Sequence, residues 1–478
     1  MSDTATREAP IMFVDPRHFK HNSHTAVDDA HLRKSFRSAM DFLQTKRAAH
    51  FGDQQAFDEL RSVGEAIRQY SLSRLPDLLE QLEARLSERG VQVHWAATPD
   101  EANAIFLEIA QRHNAKGMIK GKSMVSEEIE LNHRMAEHGI DCLESDMGEY
   151  IVQLAGERPS HIIMPAIHKT KEQIAELFAQ KVPNTSYTDD VDELIAIGRR
   201  VLRHQFRDTK IGVSGVNFMV AETGTLVLVE NEGNGRMCTT VPDVHIAITG
   251  IEKVVEKFEH VLPLFSLLTR SATGQAVTTY FNAISGPRRP GDLDGPQEMH
   301  LVLLDNGRSQ AYADEDFRPT LQCIRCGACM NHCPVYARIG GLAYGTTYPG
   351  PIGSIISPHL LGLESTQDLP TASSLCGACS EVCPVGIPIP DLLRQLRSAA
   401  KHEAVTGKPP LKGQAAAHTW REALAWKLWA FVHAHPTVYR VGTRMARLFR
   451  GLTPSGQGGW TEHRTALRVN KRGLRDRL

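Results

Sequence analysis

The 478-residue chain contains no stretch approaching the ~18–20 uncharged apolar residues of a membrane helix, so no transmembrane segment is expected. Its N-terminus, through Met12, Phe13, Arg17, His18 and Lys20, lacks the apolar core of a secretory leader, and a cytoplasmic protein is the expectation. Net charge is nearly absent, −1 in total, and gives no hint of nucleic-acid binding. No G-x-G-x-x-G, P-loop or nucleophile-elbow motif stands intact, so no nucleotide or flavin site is assigned. The 22 histidines form no H-E-x-x-H or comparable metal motif. Cysteine is scarce outside two short segments, with only Cys142 and Cys238 standing alone, and both read as buried, inert thiols. A long chain with so few spare cysteines argues against a disulfide framework.

What is present is a pair of cysteine runs. The first is Cys323-x-x-Cys326-x-x-Cys329-x-x-x-Cys333-Pro334, and the second is Cys376-x-x-Cys379-x-x-x-Cys383-Pro384. Cysteines at two-residue gaps on a tight loop place their sulfurs on one iron–sulfur cube, while the cysteine before proline serves the other cube. Zinc is the competing reading. A closed zinc site wants four ligands, usually as two pairs, and seven cysteines do not divide that way. The crossing rule assigns Cys323, Cys326, Cys329 and Cys383 to cluster one, and Cys333, Cys376 and Cys379 to cluster two. Aligning the runs puts Ser373 where the missing eighth cysteine would stand. Cluster two is then a three-iron cluster, or a four-iron cluster whose last iron takes Ser373, another oxygen or nitrogen donor, or solvent. Gly327 and Gly377 would let backbone amides approach the cluster sulfides. His332 reads as a tuner or an exposed side chain, and His359 is a candidate to approach cluster two. The helical pattern from Ile389, with Asp391 as a cap and leucines following, resembles the α-helical ferredoxin module of respiratory iron–sulfur subunits.

The rest of the chain is ordinary in composition, 41% hydrophobic and 23% charged, and its length suggests two or three domains. We expect an irregular start to about residue 25, helices over 24–50 and 54–89, and then an alternation of strands and helices. That alternation includes a helix from Ser126 to about His138, a buried strand at His161–Met164, a strand from Gly212 to Met219, and a helix over 251–270. It argues for an α/β layer with a largely parallel sheet. The expected divisions are a helical extension over 1–50, an α/β domain over 51–308, a ferredoxin domain over 309–405 and a basic helical region over 406–478.

Several further segments have a recognisable form: Lys120-Gly121-Lys122-Ser123-Met124 followed by Ser126-Glu127-Glu128; Asp146-Met147-Gly148-Glu149-Tyr150; Met164-Pro165-Ala166-Ile167-His168-Lys169; and Ala221-Glu222-Thr223-Gly224-Thr225. With the cysteine runs behind them, they resemble the lactate utilisation protein B family over residues 30–470. The resemblance implies a sugar-isomerase or CoA-transferase type of α/β fold, two 4Fe-4S clusters, and action with the A and C proteins of an L-lactate oxidation system as its electron carrier.

In the α/β domain, Lys120, Lys122 and Ser123 near a strand–helix junction are candidates to bind an anion, and Glu222 is a candidate general base. The plain alternatives are a solvated basic loop and an ordinary turn. Residues 401–478 carry 15 Lys/Arg against 4 Asp/Glu, leaving the remainder of the chain net negative. A helix with Trp420, Trp426, Trp429 and Phe431 is followed by one lined by Arg440, Arg444, Arg447 and Arg450. Such a pair contacts an acidic partner or anionic lipid, or is a solvated basic face over a packed core. Three functions are compatible with these features: an electron-transfer subunit of L-lactate oxidation, an α/β domain that is itself a dehydrogenase or transferase with the clusters as internal relay, and an iron–sulfur scaffold or redox sensor.

Overall fold

The computed structural model describes residues 15–400, 420–452, 455–456, 461, 465–466 and 468–471. The described residues up to Ala400 form one compact unit, and those from Trp420 form a second.

The chain begins with helices Phe19–Asp28, Ala30–His50, Gln54–Ser73 and Leu75–Glu88. Helix therefore starts earlier than the irregular segment expected to residue 25. The helices expected over 24–50 and 54–89 are each divided. Asp29 breaks the first by capping the next helix, accepting from Leu32 N at 2.9 Å. Pro76 lacks the N–H that a continuing helix needs, but fits the first turn of a new one.

Among the described residues ten strands follow: β1 Val91–Ala96, β2 Gly117–Lys120, β3 Asp141–Glu144, β4 Ile211–Gly215, β5 Phe218–Val220, β6 Thr225–Glu230, β7 Val244–Gly250, β8 Val254–Val255, β9 Tyr280–Ile284 and β10 Glu298–Leu304. Six of them form a sheet in the order β1-β10-β7-β4-β2-β3, and every neighbouring pair is parallel. All seven residues of β7 are buried, as a central strand covered on both faces requires. The remaining strands make a smaller sheet, β8-β5-β6-β9, in which β6 pairs antiparallel with β5 and β9.

The expected strand over 212–219 is thus two strands in two sheets. The helix expected over 251–270 begins only at Val261, because Val254 and Val255 pair with β5 first. The helix expected from Ser126 is Met124–Glu128, interrupted by Glu130 at φ 55°, then Leu131–Ala136. His161–Met164 is not a strand. The N–H groups of Ile163 and Met164 donate to His161 Nδ1 at 3.0 and 3.1 Å, so they are unavailable to a sheet neighbour.

The smaller sheet faces a core shared with the N-terminal helices and the cysteine region. Phe36, Met40, Leu43, Phe218, Val227, Leu264, Met330, Tyr336 and Leu393 all belong to it. In the second unit, helices Trp420–Ala434 and Pro436–Leu448 follow each other directly, with Pro436 at the start of the latter. Most of the expected basic segment beyond Arg464 lies outside the described residues, as do residues 1–14.

Candidate functional site

The two cysteine runs fold as repeats of one backbone path. Arg325 and Leu375, each one residue before the second aligned position, adopt φ of 61° and 55°. Gly327 and Gly377 follow at φ 76° and 89° and open short helical turns, Ala328–Asn331 and Ala378–Glu381. Cys323 Sγ accepts from Arg325 N at 3.3 Å, and at the aligned place Ser373 Oγ accepts from Leu375 N at 3.1 Å. Beyond each run, Cys333 Sγ accepts from Tyr336 N and Cys383 Sγ from Ile387 N, both at 3.4 Å.

Cys323, Cys326, Cys329 and Cys383 rim one small cavity with Ile352 and Pro384. Cys333 and Cys376 lie near enough to Cys379, and Cys376 to Cys333, that a thiolate at one disfavours ionisation of the next. Among the described residues no three His, Cys, Asp or Glu side chains converge tightly enough for a single metal ion. A cube of iron and sulfide spreads its thiolates over its corners, so this wider arrangement and the amide bonds to sulfur fit such a group. Burial pushes the Cys326 and Cys379 thiols up to about 12 and Cys383 to about 11. The exposed Cys376 is lowered instead, first by the Ala378 backbone N–H. Holding the buried sulfurs as thiolates therefore needs a cationic centre between them, and binding it releases protons.

Arginines from the N-terminal helices hold the loops in place. Arg68, fully buried, donates to Leu321 O at 3.0 Å, Gln322 O at 3.2 Å and Val254 O at 3.1 Å. Arg61 donates to Cys383 O at 2.9 Å and Ser380 O at 3.1 Å. Beneath the first run lies a buried charge network. Arg308 binds both oxygens of Glu128 at 2.8 Å and Glu252 at 2.7 Å, while Arg325 Nη2 reaches Glu252 at 3.2 Å. The two guanidinium groups and the Lys253 ammonium hold the Glu252 carboxyl down at about 2 despite its burial. Sequence reasoning missed all of these residues, because no local spacing marks an arginine that serves a loop some 250 positions away.

The other candidates separate on inspection. Lys120 is buried and bound to Glu127 at 2.7 Å and to Glu144, so it is neither an anion ligand nor part of a solvated basic loop. Ser123 caps a helix, accepting from Ser126 N at 3.2 Å, and Lys122 donates to Ile163 O at 2.7 Å. Both line a larger cavity of about 340 Å³ that also meets Lys253, Arg325 and Tyr348. Glu222 lies exposed in the β5–β6 hairpin and does not line that cavity. His332 Nδ1 pairs with Ala328 O at 3.0 Å. His359 is buried against Phe317, with ring centroids 5.1 Å apart. Asp391 sits within the first turn of helix Ile389–Ala399 rather than capping it. Cys142 and Cys238 are buried, as expected.

The parallel sheet and the doubled cysteine loop define a protein in which an α/β domain is fused to a dicluster iron–sulfur module. Family models match accordingly: the LUD domain over 79–304, a 4Fe-4S dicluster domain over 320–387, and the C-terminal part of lactate utilisation protein B over 395–478. Curated relatives named lactate utilization protein B include one from Bacillus licheniformis, 39% identical, and others from Bacillus cytotoxicus and a Geobacillus species, each 40% identical. Each alignment covers 97% of both chains. The chain belongs to the lactate utilisation protein B family. A solved DUF162 family protein from Deinococcus radiodurans aligns with 48% of this chain and 98% of its own, at 14% identity and a TM-score of 0.28, too slight to carry an argument.

Proposed function

We propose that the chain is an electron carrier in the oxidation of L-lactate to pyruvate, acting in the cytoplasm with the A and C proteins of the same system. Cys323, Cys326, Cys329 and Cys383 hold cluster one, and Cys333, Cys376 and Cys379 hold cluster two, with Ser373 at the fourth corner. The bound clusters supply single-electron transfer. The observation that carries this reading is the repeated backbone path, with Cys383 of the second run on the rim of the first run's cavity. The family relatives support the place in lactate use. The all-parallel sheet is compatible with the sugar-isomerase or CoA-transferase type of fold, and the short helical turns around the cysteines with the α-helical ferredoxin type.

The C-terminal helices are read as a peripheral contact with an anionic membrane surface. Trp426, Trp429 and Phe431 are more than half exposed, and the next helix carries Arg440 and Arg444. Among the described residues no helix is long and apolar enough to cross a membrane.

The test is iron and sulfide per chain after anaerobic purification, with electron paramagnetic resonance before and after dithionite. About eight irons and reduced four-iron signals are expected. About seven irons with an oxidised three-iron signal would remove Ser373 from the ligand set. A chain that binds zinc and no iron would overturn the electron-carrier reading.

A further inference from the structure

The order of the six-stranded sheet contains a reversal. From β2 the chain moves outward to β3, whereas from β4 it moves the other way, to β7 and then β10. In open parallel sheets, ligands bind outside the carboxyl ends of the strands where the order reverses. The 340 Å³ cavity lies at that place. Gly121, Lys122 and Ser123 after β2 form one wall, and Ser214, Gly215 and Asn217 at the end of β4 form another. The approach is close: a Cβ at Gly215 would stand 3.0 Å from Ser123 Oγ.

The lining also carries buried donors without matching acceptors. Arg325 Nη1 is buried with no hydrogen-bond partner, although Nη2 of the same side chain reaches Glu252. Lys253 is buried and makes one long bond, 3.5 Å to Cys323 O. Two basic side chains with buried, unused N–H groups on one cavity favour an acceptor-rich anion there. The lining carboxylates are already engaged. Asp146 accepts from Glu149 N at 3.1 Å, Glu230 from Gly235 N and Arg236 N at 2.7 Å, and Glu232 from Met147 N at 3.0 Å. Three basic side chains beside these three acids leave no surplus of positive charge for a phosphate dianion, so a monoanion suits the lining better. Helix Met124–Glu128, at five residues with Ser123 as its own cap, offers no phosphate cradle.

We propose that this cavity binds a small monocarboxylate, with Arg325 and Lys253 on the carboxylate and Lys122 and Ser123 on the wall beside it. The site adjoins the cluster-one loop through Arg325 and Lys253, both of which bond Cys323. The Arg325 side chain lines the cavity while its backbone N–H donates to Cys323 Sγ. The proposal deepens the electron-carrier reading, since both L-lactate and pyruvate are monocarboxylates of this class.

The test is calorimetric titration of the iron-loaded full chain with L-lactate, pyruvate, acetate and inorganic phosphate, with iron content and the reduced cluster spectrum recorded on the same sample. L-Lactate or pyruvate is expected to bind once per chain and to perturb the cluster-one signal. Lys122→Met is expected to weaken that binding about tenfold or more. Ala272→Leu, which fills the cavity without touching a charge, is expected to abolish it. Arg325→Met is the sharper variant if it retains its iron. No carboxylate binding to a fully iron-loaded chain, phosphate binding as tightly as the carboxylates, or binding unaffected by Lys122→Met and Ala272→Leu would each overturn the site. Carboxylate binding by a chain whose clusters prove absent would instead overturn only the electron-carrier reading.

Discussion

The first cysteine run and the second share a backbone path but not an environment. Cys323, Cys326, Cys329 and Cys333 are all buried, whereas Cys376 is exposed and Leu375, the counterpart of Arg325, is 39% exposed. Among the seven cysteines only Cys376 is exposed, since Cys333 and Cys379, also assigned to cluster two, are buried. Cys383 belongs to the second run but is buried, and Arg61 holds it by its carbonyl within the shared core. Cluster one would thus be enclosed between the N-terminal helices and the α/β domain, with cations behind it. Cluster two, with Cys376 and Ser373 on its outer side, would present an edge to a partner. A repeated sequence can build two similar cradles, and packing around them then encloses one and leaves the other an exposed edge.

The largest effect should separate the two cradles. Cys383→Ser should remove cluster one and loosen the shared core, with loss of roughly half the iron and of cooperative melting. Cys376→Ser should lose cluster two alone and melt nearly as the parent does. Equal thermal losses in the two variants, followed by circular dichroism and iron assay, would erase the contrast.

Next comes the network that only the first run possesses. Arg308→Met leaves Glu128 and Glu252 buried with fewer counter-charges, and should destabilise the chain by about 3–5 kcal/mol in chemical denaturation. Cluster-one signals should be lost before those of cluster two. A loss below about 1 kcal/mol would mean that the network contributes little support to the first run.

The smallest effect concerns acid. His161 packs on the first run, with its Nδ1 accepting two backbone N–H groups and its Nε2 2.9 Å from Asn331 Oδ1, so Nε2 carries the proton. Burial lowers it from 6.5 to about 4. Because the folded value lies below the unfolded one, the neutral ring's contribution is complete above about pH 6.5 and is lost as pH falls through 4. That amounts to roughly 3 kcal/mol. Denaturation midpoints measured from pH 7 to 4 should fall more steeply for the parent than for His161→Gln. Parallel curves would assign the acid sensitivity to other groups.

Much was legible in the chain because it depends on neighbours in sequence. Cysteine spacing, the glycines after Cys326 and Cys376, and the alternation of strands and helices all act within a few positions, so their pattern survives in one dimension. The placing of Lys122 and Ser123 at a strand–helix junction was legible for the same reason, whereas Lys120 was not. Its partner Glu144 comes from the neighbouring strand β3, and that pairing turns a basic loop residue into a buried ion pair. Strand β8 and the irregular His161–Met164 segment were misread because their hydrogen bonds are decided by what packs beside them.

The sequence by itself determined that this protein carries two repeated iron–sulfur loops behind a parallel α/β layer, since spacing and periodicity are local properties of a chain. Only the tertiary structure decided which loop is enclosed, which arginines hold it, and that Arg325 joins the cysteine loop to a cavity at the reversal of the sheet. Those outcomes depend on burial and charge compensation between segments far apart in the chain, and no spacing rule carries that information.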